Sequence, residues 1–162
     1  YPNKSLMAFY QFECAQKLNT SKEEAWDFIS SPANLKEITP AYMGFDITSK
    51  NTSQKMYEGM IISYTVRPLL GIKTKWVTEI THINEGHFFI DEQRMGPYKM
   101  WHHQHFIEEI SNGILMKDIV SYIPPFGILG ALANPLIIKN KLEQIFAFRK
   151  EALEKKYGVY NK

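Results

Sequence analysis

The chain has 162 residues and a formal net charge of +2, with 44% hydrophobic and 14% aromatic side chains. Acids and bases are interspersed, so no basic block argues for nucleic acid and no acidic tail argues for a solvating arm. The one cysteine, Cys14, excludes an internal disulfide, and no apolar run reaches the length of a transmembrane helix.

Ser5 to Leu18 alternates as a strand, with Tyr10, Phe12 and Cys14 on one side and Gln11 and Glu13 on the other. Ser21-Lys22-Glu23-Glu24 reads as a capping box that opens a short helix with Ala25, Trp26, Phe28 and Ile29 on its buried side. Pro32 stops it, and Leu35 to Thr39 forms a second short helical piece ended by Pro40. Strands are then expected at Gly44–Lys50 and Met56–Val66, the latter with Gly59 as a bulge or point of close approach. Arg67 to Gly71 is a loop carrying exposed apolar residues. Lys73–Ile83 and His87–Gln93 form a hairpin around Asn84-Glu85-Gly86. A two-residue loop there would put Trp76 and Ile80 on one face with Phe89, Asp91 and Gln93; a three-residue loop would swap the faces of the second strand. The first register is preferred because it collects the larger aromatics.

Tyr98–Ile110 and Ile114–Ile123 form the next hairpin, with Asn112-Gly113 as its tip. That register sets His105 opposite Val120, His103 opposite Tyr122, Glu108 opposite Lys117 and Gln104 opposite Ser121. One face then carries Trp101, His103, His105, Ile107, Met116, Asp118, Val120 and Tyr122, and is taken as the inner one. Pro124 to Ala133 breaks the sheet as an apolar, glycine-punctuated loop. Asn134-Pro135 caps a long helix running to Tyr157 and ended by Gly158. Leu142, Ile145, Phe146, Arg149 and Leu153 form its buried stripe.

The order of elements suits one domain, 1–162, of α+β class: two short helices after strand 1, about seven antiparallel strands in all, and a strongly curved sheet wrapped around the C-terminal helix. The N-terminal stretch lacks the charged region and apolar core of a signal peptide, and the expected location is the cytoplasm.

Several residues form a pattern along nearly the whole chain: Asn34-Leu35, Thr39-Pro40, Gly59, Trp76 and Ile80, Phe89-x-Asp91-x-Gln93, Gly96-Pro97-Tyr98, Trp101-x-His103-x-His105-Phe106, Asp118-x-Val120-x-Tyr122-x-x-Pro125, and Ile145-Phe146-x-x-Arg149. This pattern resembles the SRPBCC superfamily of START-like and polyketide cyclase-like helix-grip proteins, and within it the bacterial "SRPBCC family protein" group. The resemblance implies a helix-grip fold with an elongated apolar cavity between sheet and long helix. The Arg67–Gly71 and Pro124–Ala133 loops would be its candidate lids. It does not specify an activity.

The inner-face His103, His105 and Asp118 are costly to bury unless paired. A metal would need three converging ligands. In the expected register Asp118 is diagonal to His105 rather than beside both rings, so no metal and no cofactor are expected. The preferred reading is a structural polar network at one end of the cavity, with Asp91, Gln93 or Arg149 as partners. Arg149 is read as an internal ion pair to Asp118 or Asp91 before a ligand clamp. The expected function is binding of a hydrophobic or amphipathic small molecule, with Trp76, Asp91, Gln93, Trp101, His103, Tyr122, Phe146 and Arg149 as the binding residues. A second reading is a cyclase/dehydrase-like enzyme without metal, in which His105 and Asp118 move protons. It is weaker because no activated nucleophile or phosphate loop is visible. A third is a lipid or quinone carrier touching membranes through Leu69, Leu70, Phe126, Ile128 and Leu129.

Overall fold

The computed structural model describes residues 8–50, 54–68, 70–125 and 137–161. Its elements in chain order are β1 (Tyr10–Leu18), α1 (Lys22–Ile29), two short 3-10 helices (Pro32–Ile38 and Ala41–Met43), β2 (Asp46–Ile47), β3 (Ile61–Val66), β4 (Thr74–Asn84), β5 (Phe88–Met95), β6 (Met100–Ile110), β7 (Gly113–Ile123) and α2 (Lys139–Tyr157). The strands form one antiparallel sheet of seven in the order β1-β7-β6-β5-β4-β3-β2. The helical segment after β1 carries the chain from one sheet edge to the other. The remaining strands return strand by strand until β7 pairs with β1, and α2 packs back against the sheet. This is the expected helix-grip architecture, a curved sheet closed around a C-terminal helix.

Local chemistry explains the element boundaries. The Ser21 hydroxyl accepts the Glu24 amide at 3.1 Å and so satisfies one of the free N–H groups that open α1. The Glu24 carboxylate takes the Thr20 hydroxyl at 2.6 Å. Ala25, Trp26, Phe28 and Ile29 are buried as the spacing predicts. At the far end, the Gly158 amide donates to the Glu154 carbonyl and closes α2. Leu142, Phe146 and Leu153 are its buried stripe. Phe12 on β1 meets Phe146 on α2 with ring centroids 5.0 Å apart, and the Gln16 amide donates to the Lys150 carbonyl. Among the described residues, no helix is long and apolar enough to cross a membrane.

The sequence-based expectations need four corrections. First, the β6–β7 hairpin turns at Ser111-Asn112, with Ile110 opposite Gly113, which shifts every pair by two residues. Asn112 alone carries the left-handed backbone, at φ 62°. Gly113 lies instead at the start of β7, where a Cβ would collide with the Leu18 carbonyl oxygen on β1. Its glycine serves close strand approach, not the tip of the turn. A shift of two preserves side-chain parity, so the inner face is the one expected. The partners change, however: His105 now faces Asp118, His103 faces Val120, and the supposed Gln104–Ser121 and Glu108–Lys117 pairs do not form.

Second, the β4–β5 loop spans Glu85 to His87, the three-residue case, yet Ile80, Phe89 and Asp91 still share the inner face. The register slips between Ile80 and His82, and this bulge restores the parity that the longer loop would have inverted. Third, the strand expected over Gly44–Lys50 is only Asp46–Ile47, and the strand expected from Met56 begins at Ile61. Gly59 lies in the turn before it, not in a bulge. Fourth, Leu35 to Ile38 belongs to a 3-10 helix that starts at Pro32, so this proline opens the second helical piece as well as ending the first. The expected helix start at Asn134-Pro135, most of the Pro124–Ala133 loop, and Ser5 to Met7 lie outside the described residues.

Candidate functional site

Three adjacent strands bring four ionisable side chains to one spot on the inner face. Asp91 on β5 lies across from His103 on β6, and His105 on β6 lies across from Asp118 on β7. The side chains then bond along the diagonals. His105 Nε2 is 2.7 Å from Asp91 Oδ2, and His103 Nε2 is 2.9 Å from Asp118 Oδ1. The other nitrogens complete a ring: His105 Nδ1 is 2.9 Å from Asp118 Oδ1, and His103 Nδ1 is 3.6 Å from Asp91 Oδ2. From α2, the Arg149 guanidinium donates to Asp118 Oδ1 at 3.0 Å. The two imidazoles lie with centroids 3.7 Å apart, and Phe89 stacks on His105 at 4.0 Å. Asp118 therefore touches both histidines, not one diagonally, because the register differs by two from the expected one.

Burial and charge set the protonation of this cluster. Burial works against the ionised form of Asp118, but Arg149 and the two histidines outweigh it and hold the carboxyl well below the usual range. Asp91 is likewise lowered: burial opposes it, and the His105 bond and the nearby His103, His105 and Arg149 overcome that. Burial also disfavours an imidazolium at His105, yet its contacts with Asp118 and Asp91 raise its pKa above the ordinary histidine value. His103 goes the other way. Burial and the neighbouring His105 charge push it down to about 4 despite Asp118 and Asp91. At neutral pH the two carboxylates are ionised and His103 is neutral, while the Arg149 guanidinium and the raised pKa of His105 set positive charge against the carboxylates.

Beside the cluster, between sheet and α2, is a cavity of about 160 Å³. One water needs only about 10–15 Å³ on such a measure. Trp76, Trp101, Asp91, His103, Phe146 and Arg149 line it, together with His105. Asp118 does not line it and stands behind the histidines, against α2. Two other residues expected at the ligand do not reach it. The Gln93 amide is spent on the following turn: its Nε2 donates to the Tyr98 carbonyl at 2.7 Å, and its Oε1 accepts the Tyr98 amide at 3.1 Å. Gly96 is needed there because a Cβ would run into the Gln93 side chain. Tyr122 is buried in an aromatic cluster with Tyr10, Tyr98 and Trp101, outside the cavity lining.

The sequence reading missed Tyr64, Thr78, Tyr98 and Lys141, all of which line the cavity. Tyr64 and Thr78 share the inward parity of Trp76, so strand alternation could have found them. Tyr98 sits in a turn and Lys141 in the first turns of α2, where alternation gives no signal. Among the described residues, two polar atoms of the cavity lining are buried with no hydrogen-bond partner: Trp76 Nε1 and Arg149 Nε. Of the residues expected at a membrane, Leu70 is exposed; Leu69, Phe126, Ile128 and Leu129 lie outside the described residues.

No family model matches this chain. Nor does any curated protein. Solved structures do. Protein CV1439 from Chromobacterium violaceum superposes with a TM-score of 0.69 at 12% identity, covering 93% of this chain and 99% of the other. TTHA0849 from Thermus thermophilus gives 0.67 at 11% identity, covering 91% and 96%. The major latex-like protein 151 from Panax ginseng gives 0.66 at 12% identity, covering 92% and 97%. At these identities the likeness is one of fold.

Proposed function

We propose that this protein binds a hydrophobic or amphipathic small molecule in the cavity between the sheet and α2. The observation that carries the reading is the cavity's make-up. Its walls are mainly aliphatic and aromatic, which favours apolar burial at about 25 cal/mol per Å². Among the described residues, two that line it each hold a buried donor without a partner, Trp76 Nε1 and Arg149 Nε. Buried donors are nearly always bonded, so an acceptor atom on a ligand would be favoured beside either one. Lys141, also at the lining, adds a positive charge. The ligand chemistry that fits is an apolar body with an oxygen acceptor or a carboxylate at one end.

The protonation states support binding over proton-transfer catalysis. A general base works best with a pKa near the working pH. His103 is pushed down to about 4, and both ring nitrogens of His105 are engaged by carboxylates, Nε2 by Asp91 and Nδ1 by Asp118, which leaves neither free toward a substrate.

The test is native mass spectrometry of freshly purified protein, followed by denaturing extraction of anything released. The expected result is a stoichiometric apolar or amphipathic compound, or, after delipidation, saturable binding of a fatty acid or naphthalene sulfonate probe that Ile80→Phe weakens by filling the cavity. A protein that takes up neither class of probe would overturn the reading.

A further inference from the structure

We propose that Asp91, His103 and His105 form a binding site for a divalent first-row transition-metal ion, with Asp118 as the carboxylate that orients both imidazoles from behind. One nitrogen of each ring and one Asp91 oxygen lie within 4.8 Å of one another. Asp91 Oδ2 is 2.7 Å from His105 Nε2 and 3.6 Å from His103 Nδ1. Bonds of about 2.0–2.2 Å to such an ion put neighbouring donors about 3.0–3.5 Å apart, a range that the two Asp91 distances bracket. Two histidines and one carboxylate on one face, with further positions left open, are a recurrent donor set for these ions.

The arrangement of the other nitrogens selects this reading. A metal-bound histidine almost always gives its second N–H to a carboxylate or carbonyl. Here His103 Nε2 and His105 Nδ1 are both 2.9 Å from the same atom, Asp118 Oδ1. The two rings are thus pinned with their remaining nitrogens toward Asp91. The side on which the ion sits is equally determined. Arg149 already occupies Asp118 Oδ1 at 3.0 Å, and a cation beside that carboxylate would face the guanidinium. Asp91, His103 and His105 line the cavity, whereas Asp118 does not, so the open coordination positions would face the cavity and its ligand. The sequence reading expects no metal because it sets Asp118 diagonal to His105; the observed register and the convergence of Asp91 remove that ground. The proposal stands apart from the small-molecule reading, since the metal alone is the probe.

The experiment uses the full chain stripped with a chelator, dialysed, and titrated with Zn2+ and Co2+ by calorimetry, with metal content measured after desalting. One ion per chain is expected, bound in the micromolar range or tighter. Asp91→Asn should abolish the tight site, Asp118→Asn should weaken it about 10–100-fold, and Glu92→Gln, at the outer-face His102 pair, should leave it unchanged. Circular dichroism checks that each variant is folded. A readout on the unaltered protein stands beside these: Co2+ should shift or broaden the ring resonances of His103 and His105 while sparing His82, His87 and His102. The absence of saturable binding, equal binding by wild type and folded Asp91→Asn, or cobalt effects confined to the other three histidines would overturn the proposal.

Discussion

Acidification of the metal-free protein from pH 7 to pH 5 should weaken folding through His103. Its pKa is about 4 in the folded chain against about 6.5 when unfolded. A histidine whose folded pKa is depressed binds fewer protons folded than unfolded throughout the interval between those values. Its stabilising contribution is therefore complete above the unfolded pKa and is lost as pH falls toward the folded one. At about 1.4 kcal/mol per pH unit across most of this interval, the His103 share of the loss between pH 7 and pH 5 is about 2 kcal/mol. The group is buried, with only 8% of its side chain exposed, so solvent screening does not reduce it much. His105 opposes this trend. Its folded pKa is raised, so its contribution is complete below the unfolded value and fades as pH rises through the folded one. The wild-type loss is then smaller than the His103 share alone, and a variant separates the two. Urea unfolding of wild type and His103→Asn at pH 7 and pH 5 gives four midpoints. The wild type should lose more stability than the variant by about 2 kcal/mol, out of the 5–15 kcal/mol typical of a whole domain. Equal losses in the two proteins would refute a neutral, buried His103.

Further outcomes follow from individual contacts. Arg149→Leu should destabilise the fold by about 3 kcal/mol, because the buried Asp118 carboxylate loses its guanidinium and keeps only its two histidine contacts; Arg149→Leu combined with Asp118→Leu should recover none of that, because it leaves the two buried imidazoles without their shared acceptor, as read by urea midpoints. Leu153→Ala, at a site 1% exposed where α2 meets the α1 side of the core, should cost about 2–5 kcal/mol by the same measurement. The Cys14 thiol is pushed up to about 12, by burial and by the Asp118 charge, so it should react with a disulfide reagent at pH 8 far more slowly in native than in urea-unfolded protein.

The sheet's inner face was legible because strand alternation survives register errors of two. Trp101, His103, His105 and Asp118 stay on one side whether the turn lies at Asn112-Gly113 or at Ser111-Asn112. The partnerships were not legible, because the signal used to set them was the preference of glycine for positive φ, and Gly113 answers a different demand, the passage of the Leu18 carbonyl. In the β4–β5 hairpin, two local departures offset each other. A three-residue loop reverses the face and the slip between Ile80 and His82 reverses it again, so the face came out as preferred although the loop did not. Such offsets leave no trace in hydrophobic pattern, since Thr81, where the slip occurs, is as acceptable in a strand as in a bulge. Gln93 shows a different limit. Alternation gives a side chain's face but not its reach, and here the amide folds back onto the Tyr98 backbone instead of entering the cavity.

The placement of Arg149 connects the fold to the site. On α2 it occupies a stripe otherwise made of Leu142, Ile145, Phe146 and Leu153, where an unpaired cation would be costly. Its bond to Asp118 crosses from α2 to β7, the strand that also pairs with β1 at Cys14. The same carboxylate oxygen holds both histidines. The seating of the helix on the sheet and the orientation of the two imidazoles are therefore coupled through one atom. Displacing α2 would release Asp118 Oδ1 from Arg149, and with it the support that turns His103 and His105 toward Asp91. An occupant of the cavity that pushes on Ile145 or Phe146 would act on that support directly. Ligand binding and the geometry of the histidine pair should respond to one another, and the ring resonances of His103 and His105 are where that coupling would be read.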